Sequence, residues 1–545
     1  MSAVFNLADY FLFDRLEEGL GDSTALLFGE RRQTYREVAD ATRELAAHLH
    51  GAGVATEQRV LIVLPDTPAY AAAFFATLRL GAVVAMGNPH APVEDLAHLV
   101  RYTRARAIVT TPAVAAAIAK DASDVGSHLV VVSEVATGED WLHVEDSPSN
   151  GIWLRNALED GRHRLEKGGK SQCITLRDDP AIWLFTTGST GKSKAAMHTH
   201  GDFAFNTEHY AIGTVGYRRG DITVSVPRLF FGYATGTNLM FPFRVGATAA
   251  LFSERPTPLV LARAIELYKP TIITNVPTMM GQLLEDDDAR TARGMPRLDL
   301  SKVRFHLSAG EALPPALLAR FTARFGGEVY DGIGSAEMFH IYCSNRPGDV
   351  MPGSLGRVVE GYEIRILPVE ADGVGALPSA LGETGVMWVK GDSVAQGYFQ
   401  DRDKSWQTFH GHWCRTGDLF RVDEKGYFWF EGRADDLLKV GGVWVAPLEV
   451  ENCVLEHAAV AAVAVLGVEH DGLTKPKAFV VLKTGVAAND ALADELKAWV
   501  KERLSKHKYP RTVAFVEELP KNDRGKIDRK ELKRAELNGE NPVGR

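Results

Sequence analysis

The sequence predicts an α/β protein: a large N-terminal domain of mainly parallel βαβ subdomains with a β-rich subdomain, then a small α+β C-terminal domain. Three observations carry this. Apolar strand-like runs alternate with Ala/Leu-rich helical ones through the first part of the chain, the rhythm of βαβ units around a parallel sheet. From about residue 355 the texture changes to short β-rich segments broken by glycine. At 545 residues the chain also exceeds the size at which one hydrophobic core stops growing, so at least two domains are required.

In order, ATRELAAHLHGAG is helical, RVLIVLP a buried strand, AYAAAFFATLRLGAVVAMGNP a helix and a strand, and RAIVTTP a further strand. The alternation returns in LARAIELYKPTIITNVP and KVRFHLSAG. The β-rich part contains GYEIRILP, GVMWVKG and GYFWFEGR. The last hundred or so residues are mixed again, with VAAVAVLGV, KAFVVLK and the amphipathic ADELKAWVKERL. A boundary is expected in the Gly-flanked GRADDLLKVGG, dividing the chain into 1–434 and 435–545. The charged stretch 147–172 reads as an inserted surface element, and the polar tail AELNGENPVGR as a frayed end.

Hydrophobic residues make up 45% and charged residues 24%, proportions of a globular enzyme rather than a disordered or fibrous chain. A net charge of −9 without a long basic run argues against a nucleic-acid partner and for a small molecule. No stretch approaches the roughly 18 uncharged apolar residues of a membrane span. The acidic N-terminus does not read as a signal peptide. Cys173, Cys343, Cys414 and Cys453 lack metal-ligand spacing, which fits a reducing cytoplasm.

The chemistry begins at TTGSTGKSK, 186–194, directly after the apolar AIWLF. Glycines let a backbone approach an anion, hydroxyls donate and lysine supplies charge, which are the parts of a phosphate cradle. Three readings compete. A polar turn after a buried strand is the plainest. A Walker A loop would need glycine where Thr186 stands, and no acidic Walker B strand accompanies it. The third is the pattern [ST]-[ST]-G-[ST]-T-G-x-P-K-G, filled by Thr186, Thr187, Gly188, Ser189, Thr190, Gly191 and Lys194, with Lys192 at the variable position.

In that third form the loop resembles the adenylate-forming superfamily of acyl-CoA synthetases, nonribosomal-peptide adenylation domains and luciferases. Ser193 and Ala195 replace the usual proline and glycine, which changes loop stiffness without removing a phosphate donor. Further motifs follow in the family's order. SAGEALP, with Gly310 and Glu311, resembles the segment whose backbone lines one face of adenine. YDGIGSAEMFHIY resembles the next motif: Asp331 faces the adenine amino group beside Gly332, Ile333 and Ser335, and Glu337 holds Mg²⁺. Taken alone, Glu337 would be an ordinary helix-start carboxylate. Ala336 stands where the family has threonine, so a hydroxyl near the α-phosphate is lost or comes from Ser335. WCRTGDL supplies Asp418, whose carboxylate accepts from vicinal ribose hydroxyls. GRADDLLKVGG supplies Arg433 as a second ribose contact and Asp435 as hinge, although a turn aspartate would serve as well. PKNDRGKIDRKEL carries the adenylation lysine, Lys526.

The resemblance implies a two-step ligase. A carboxylate attacks the α-phosphate of ATP, giving an acyl-adenylate and pyrophosphate, by positioning and charge screening. The 186–194 loop holds the β- and γ-phosphates, and Lys526 reaches between the substrate carboxylate and the α-phosphate. The mobile C-terminal domain then turns about the hinge, withdrawing Lys526 and bringing Lys439, Gly441 and Gly442 to the thiol tunnel.

SVPRLFFGYATGTNLMFP, 225–242, resembles the acyl pocket of benzoate-type CoA ligases, with Phe231, Gly232 and Tyr233 on its wall. EMFHIYCSN resembles the same enzymes' version of the glutamate motif, placing Gly334, His340 and Ile341 by the ring or carboxylate. A buried helix start and a packed core histidine are the plainer readings of these residues. Gly232 stands where benzoate ligases tend to have alanine, so benzoate or an ortho-substituted benzoate such as 2-aminobenzoate is the expected acid. CoA is the expected acceptor, as no fused carrier domain follows the lysine motif. A stand-alone enzyme loading a carrier protein is the alternative, and a Walker-type kinase or ATP-binding module the distant one. ATP, Mg²⁺, CoA and an aromatic acid are thus the expected small molecules, with no nucleic acid and no membrane; a homodimer stays open.

Overall fold

A computed structural model describes residues 3–132, 151–187, 193–440, 443–470, 473–520 and 527–538. Two large sheets carry the first 360 or so residues, each parallel in its interior. The seven-stranded sheet runs, edge to edge, Ile152–Trp153, His128–Val131, Ala107–Thr110, Arg59–Val63, Val83–Met86, Pro180–Thr187 and Ser193–Thr199. All its pairings are parallel except the last, an antiparallel hairpin.

The nine-stranded sheet runs Arg357–Val358, Ile341–Ser344, Glu328–Gly334, Phe305–Ala309, Ile272–Asn275, Ile222–Ser225, Thr248–Leu251, Thr24–Phe28 and Arg31–Thr34. It is parallel from Glu328–Gly334 to Thr24–Phe28 and antiparallel at both ends. Its inner strand Ile272–Asn275, IITN, is fully buried and mostly β-branched, which explains why it reads as part of an apolar segment. Helices between strands start where the sequence supplies a signal. Thr34 and Glu37 form a reciprocal capping box for Tyr35–Gly51, and proline opens Pro68–Arg79, Pro258–Tyr268 and Pro277–Ala292.

Residues 151–166 correct one expectation. Rather than a surface insertion, Ile152–Trp153 extends the seven-stranded sheet, and helix Leu154–Glu166 buries Leu154, Ala157, Leu158 and Gly161 against the body of the protein. Those four positions share one helical face, a 3.6-residue period obscured by the charges between them.

A five-stranded sheet is formed by Glu363–Leu367, Gly385–Lys390, Phe409–His410, Trp413–Val422 and Phe428–Arg433. Near the C-terminus, Val460–His470 and Leu473–Leu482 make a long antiparallel hairpin, and Thr512–Phe515 joins the second strand in parallel. Helices Pro447–Leu455 and Asp490–Arg503 pack there around Val450, Val463, Val465, Val480, Leu496 and Val500. The chain divides into two compact units. One comprises residues 1–364, 388–415 and 426–428; the other comprises 365–387, 416–425 and 429–545. Among the described residues no helix is long and apolar enough to cross a membrane. The four cysteines are free thiols, with Cys343, Cys414 and Cys453 buried.

Candidate active site

In the first unit the site is organised around the turn Ala336–Met338, which follows strand Glu328–Gly334. Three consecutive carbonyls of this turn are held by three different donors. His198 Nε2–H donates to Ala336 O at 2.6 Å, the Ala395 amide to Glu337 O at 2.8 Å, and Ser393 Oγ to Met338 O at 2.9 Å. The Glu337 carboxylate itself accepts from the Tyr398 hydroxyl at 2.5 Å. Burial first, then the charge of Glu337, pushes the Tyr398 phenol far above its ordinary range, so it stays a donor.

Lys194 lies beside this group. The register Thr186↔Lys194 and Thr187↔Ser193 sets both ends of the phosphate-loop motif on the edge hairpin of the seven-stranded sheet. Residues 395–399 run along the outer strand, with Met197 N donating to Gly397 O at 2.9 Å and Phe399 N to Ala195 O at 3.0 Å. The Lys194 ammonium consequently sits 3.6 Å from the centre of the Tyr398 ring. Burial lowers its pKa, while nearby Glu337 opposes the shift. Gly188, Ser189, Thr190 and Gly191 lie outside the described residues.

The two segments expected around adenine are brought together by parallel pairing: Ser308 is opposite Asp331 and Ala309 opposite Gly332. Asp331 is buried, its Oδ1 has no partner among the described residues, and burial pushes its carboxyl up to about 8. Ser335 Oγ is likewise buried without a partner. Gly310 has a left-handed backbone, φ +88°, with open space where a Cβ would be, so it is the conformation that selects glycine. The Glu311 carboxylate accepts from the Thr278 amide and hydroxyl at 3.1 and 2.7 Å.

Of the expected acyl-pocket residues, Gly232 and Tyr233 lie on a continuous helical stretch made of Gly232–Thr235, Gly236–Met240 and Phe241–Arg244, with Phe231 at its N-cap, while Gly334 and Ile341 lie on the strands Glu328–Gly334 and Ile341–Ser344. His340 packs among Phe241, Tyr233 and Tyr210, at ring separations of 4.8, 5.1 and 5.4 Å. Burial holds its pKa down to about 3, so the imidazole is neutral. Its Nε2–H donates to Tyr233 O at 3.0 Å, which leaves Nδ1 an acceptor, without a partner among the described residues. The buried Tyr233 hydroxyl is also unpartnered among the described residues. A Cβ on Gly236 would lie 2.6 Å from His340 Cδ2 and 2.9 Å from Phe241 Cζ, so glycine permits this packing. Ile341 is buried, and a Cβ on Gly334 would meet the His340 carbonyl at 2.4 Å. Phe231 is 37% exposed, at the mouth of the stretch.

In the second unit, Arg433 Nη1 donates to Asp418 Oδ1 at 2.7 Å, and the Asp418 amide donates to Thr416 Oγ1 at 3.1 Å. Asp435 is 3.9 Å from Arg433. Lys439 is exposed, its ammonium 5.3 Å from the Trp444 ring centre. Gly441, Gly442 and Lys526 lie outside the described residues.

Several supporting residues carried no legible signal. His198, Asp202, Tyr398 and Ser393 come from segments with no motif of their own. Asp66, from the loop after strand Arg59–Val63, accepts from the Leu229 amide at 3.0 Å and pairs with Arg228 at 3.3 Å, pinning the turn into the acyl-pocket stretch. Burial pushes the Asp66 carboxyl up to about 6. A polar residue just past a buried strand was the one clue to it.

The chain is similar to known proteins over most of its length. Residues 13–399 match the AMP-binding enzyme family and residues 449–526 the AMP-binding enzyme C-terminal domain. The benzoate–CoA ligase of Thauera aromatica is 36% identical over 535 residues, covering 97% of this chain and 96% of the relative. The structure of the anthranilate CoA ligase AuaEII in complex with anthranoyl-AMP superimposes with a TM-score of 0.83 at 32% identity, covering 98% of both chains. A benzoate CoA ligase from Burkholderia xenovorans LB400 gives 0.81 at 36% identity, covering 97% of this chain and 99% of that one.

Proposed function

The chain belongs to the AMP-binding enzyme family and, within it, to the benzoate-type aryl-CoA ligases, AMP-forming acid–thiol ligases that use ATP and CoA. From that premise we propose that the acid it activates is benzoate or an ortho-substituted benzoate such as 2-aminobenzoate. The observation that carries this reading is the buried, neutral His340, whose ring packs 5.1 Å from that of Tyr233 and whose Nδ1, like the Tyr233 hydroxyl, has no partner among the described residues. An amino or hydroxyl hydrogen on the ring suits that acceptor, whereas leaving it dry costs free energy. Gly232 does not add to this reading: a Cβ there would meet Leu184 at 3.1 Å and Phe339 O at 3.4 Å, so the space a methyl would take is already filled by close packing.

On this reading the acid's carboxylate attacks the α-phosphorus of ATP, the bond to the bridging oxygen breaks, and pyrophosphate leaves. Thr186, Thr187 and the loop that follows hold the β- and γ-phosphates with Lys194 adding charge, and Asp331 accepts from the adenine amino group. Asp418 and Arg433 take the ribose hydroxyls, and Lys526 bridges the carboxylate and α-phosphate. Lys439, Gly441 and Gly442 then serve the thiol step, after movement of a C-terminal domain, 435–545, hinged at Asp435. The donor set suits Mg²⁺. Among the described residues no three His, Cys, Asp or Glu side chains converge on a metal position, while Glu337 offers a half-buried carboxylate. One carboxylate completed by phosphate oxygens and water is how Mg²⁺ is ordinarily held beside nucleotides. When bound, the ion offsets the charge that gathers on the phosphates.

Pyrophosphate release with a panel of benzoate, 2-aminobenzoate, 4-hydroxybenzoate and an aliphatic acid tests the assignment. Benzoate and the ortho-amino acid are expected to lead, and AMP is the expected nucleotide product. A lead by the aliphatic or para-substituted acid would overturn the acid assignment. Omitting CoA should stop the reaction at the adenylate, whereas turnover with a carrier protein and not with CoA would reassign the acceptor.

A further inference from the structure

His198 is fully buried on the strand Ser193–Thr199, opposite Ile182, and uses both ring nitrogens. Its Nε2 is 2.6 Å from Ala336 O and its Nδ1 2.8 Å from Asp202 Oδ2. A carbonyl oxygen only accepts, so Nε2 carries a hydrogen. Asp202 is itself buried and fixed, accepting from the Thr199 amide at 3.1 Å and from the Thr199 hydroxyl within the capping box of helix His200–Asn206. A hydrogen bond from a braced, buried ring thus ends on the carbonyl directly preceding Glu337.

We infer that the His198–Asp202 pair is a positioning unit for Glu337. It ties the turn bearing the carboxylate to the strand that begins at the end of the phosphate loop, fixing the distance between the two groups that receive the nucleotide's phosphates and their cation. A histidine held only for packing would not need both nitrogens engaged, nor end on this carbonyl. The inference rests on the proposed role of Glu337 as the cation's protein ligand.

The test separates the two contacts by length. A glutamine at 198 places its amide nitrogen near the position of Nε2 and can still donate to Ala336 O; an asparagine reaches only the Asp202 side. Mn²⁺ binding to the full-length protein, saturated with the unreactive analogue α,β-methylene-ATP, is followed by electron paramagnetic resonance, with thermal unfolding measured alongside. His198→Asn is expected to weaken Mn²⁺ binding by about tenfold or more, in the range usual for groups that orient a metal ligand, and His198→Gln to restore most of it. Equal affinities for the two variants, or wild-type affinity in both, would overturn the proposal. So would failure of both to fold, since the pair would then be a core element rather than a positioning one. Glu337→Gln is the control. If it leaves Mn²⁺ affinity unchanged, the reading of Glu337 itself falls; if it weakens binding while both His198 variants behave as wild type, only the positioning role falls.

Discussion

The glutamate turn and the Asp418–Arg433 pair are two expected nucleotide contacts built on opposite principles. Around Glu337 every carbonyl of the turn has a separate donor, and the neighbouring Asp331 and His340 are buried deeply enough to shift their ionisation. Asp418 instead pairs with Arg433, whose side chain is 46% exposed. The first region is preorganised: the free energy of shaping it is met by folding, and on the proposed reading its groups are fixed where charge would develop. The second keeps a salt bridge that ribose hydroxyls can join or displace, at little cost to the fold. Groups of the first kind should govern the rate of adenylation, those of the second kind nucleotide affinity.

The sharpest test of that contrast is at the reacting centre. Lys526→Ala, at the proposed bridge between carboxylate and α-phosphate, is expected to lower adenylate formation by roughly a hundredfold to a thousandfold, the usual loss when a group that stabilises transition-state charge is removed. Thioester formation from pre-made adenylate and CoA should survive largely intact. Single-turnover assays of the two steps would detect it, and equal losses in both would break the division of roles.

Gly236→Ala tests whether the buried wall is as fixed as its contacts indicate. The new methyl would meet the His340 ring at 2.6 Å, and the ring has buried neighbours behind it. Overpacking of this kind costs about 1–3 kcal/mol, seen as a lower urea midpoint together with a raised KM for the acid. An unchanged midpoint would mean that the wall is soft.

The same region makes stability depend on pH. Burial raises the Asp331 carboxyl from its ordinary value near 3.8 to about 8. The unfolded chain therefore releases this proton first, so the contribution is complete below about pH 4 and is lost as pH rises through 8. In Asp331→Asn, which mimics the neutral acid, urea unfolding between pH 4 and 8 should lose this downward slope relative to wild type. Parallel profiles would show that Asp331 is ionised and paired in the folded protein.

The sequence made the parallel sheets legible because their strands are continuous apolar runs such as RVLIV and IITN, and the helices because caps and prolines mark their starts. It also offered the motifs expected to face the nucleotide, since Asp331, Glu337 and Asp418 each sit in a distinctive local context. What it hid is whatever acts across the chain. His198 reaches Ala336 over 138 residues, Asp66 reaches Leu229 over 163, and Tyr398 reaches Glu337 over 61. None of these has a local pattern, because the strand register and the helix packing that create the contacts are properties of the assembled sheet. Helix Leu154–Glu166 was obscured differently: charges on its outer face masked the four small or apolar positions that bury it.

The smallest effect is expected at Asp418, and it bears on the weaker half of the comparison. Asp418→Asn keeps the shape and the amide contact to Thr416 but removes the charge facing Arg433. A pair with an arginine this exposed contributes no more than about 1 kcal/mol, so the urea midpoint should scarcely move. The ribose, however, loses its acceptor of two vicinal hydroxyls, because an amide offers one acceptor oxygen where the carboxylate offers two. KM for ATP should rise by about tenfold, near 1.4 kcal/mol, while the adenylation rate at saturating ATP stays close to wild type. A fall in that rate with KM unchanged would place Asp418 among the preorganised groups, and the contrast between the two regions would then be one of exposure alone.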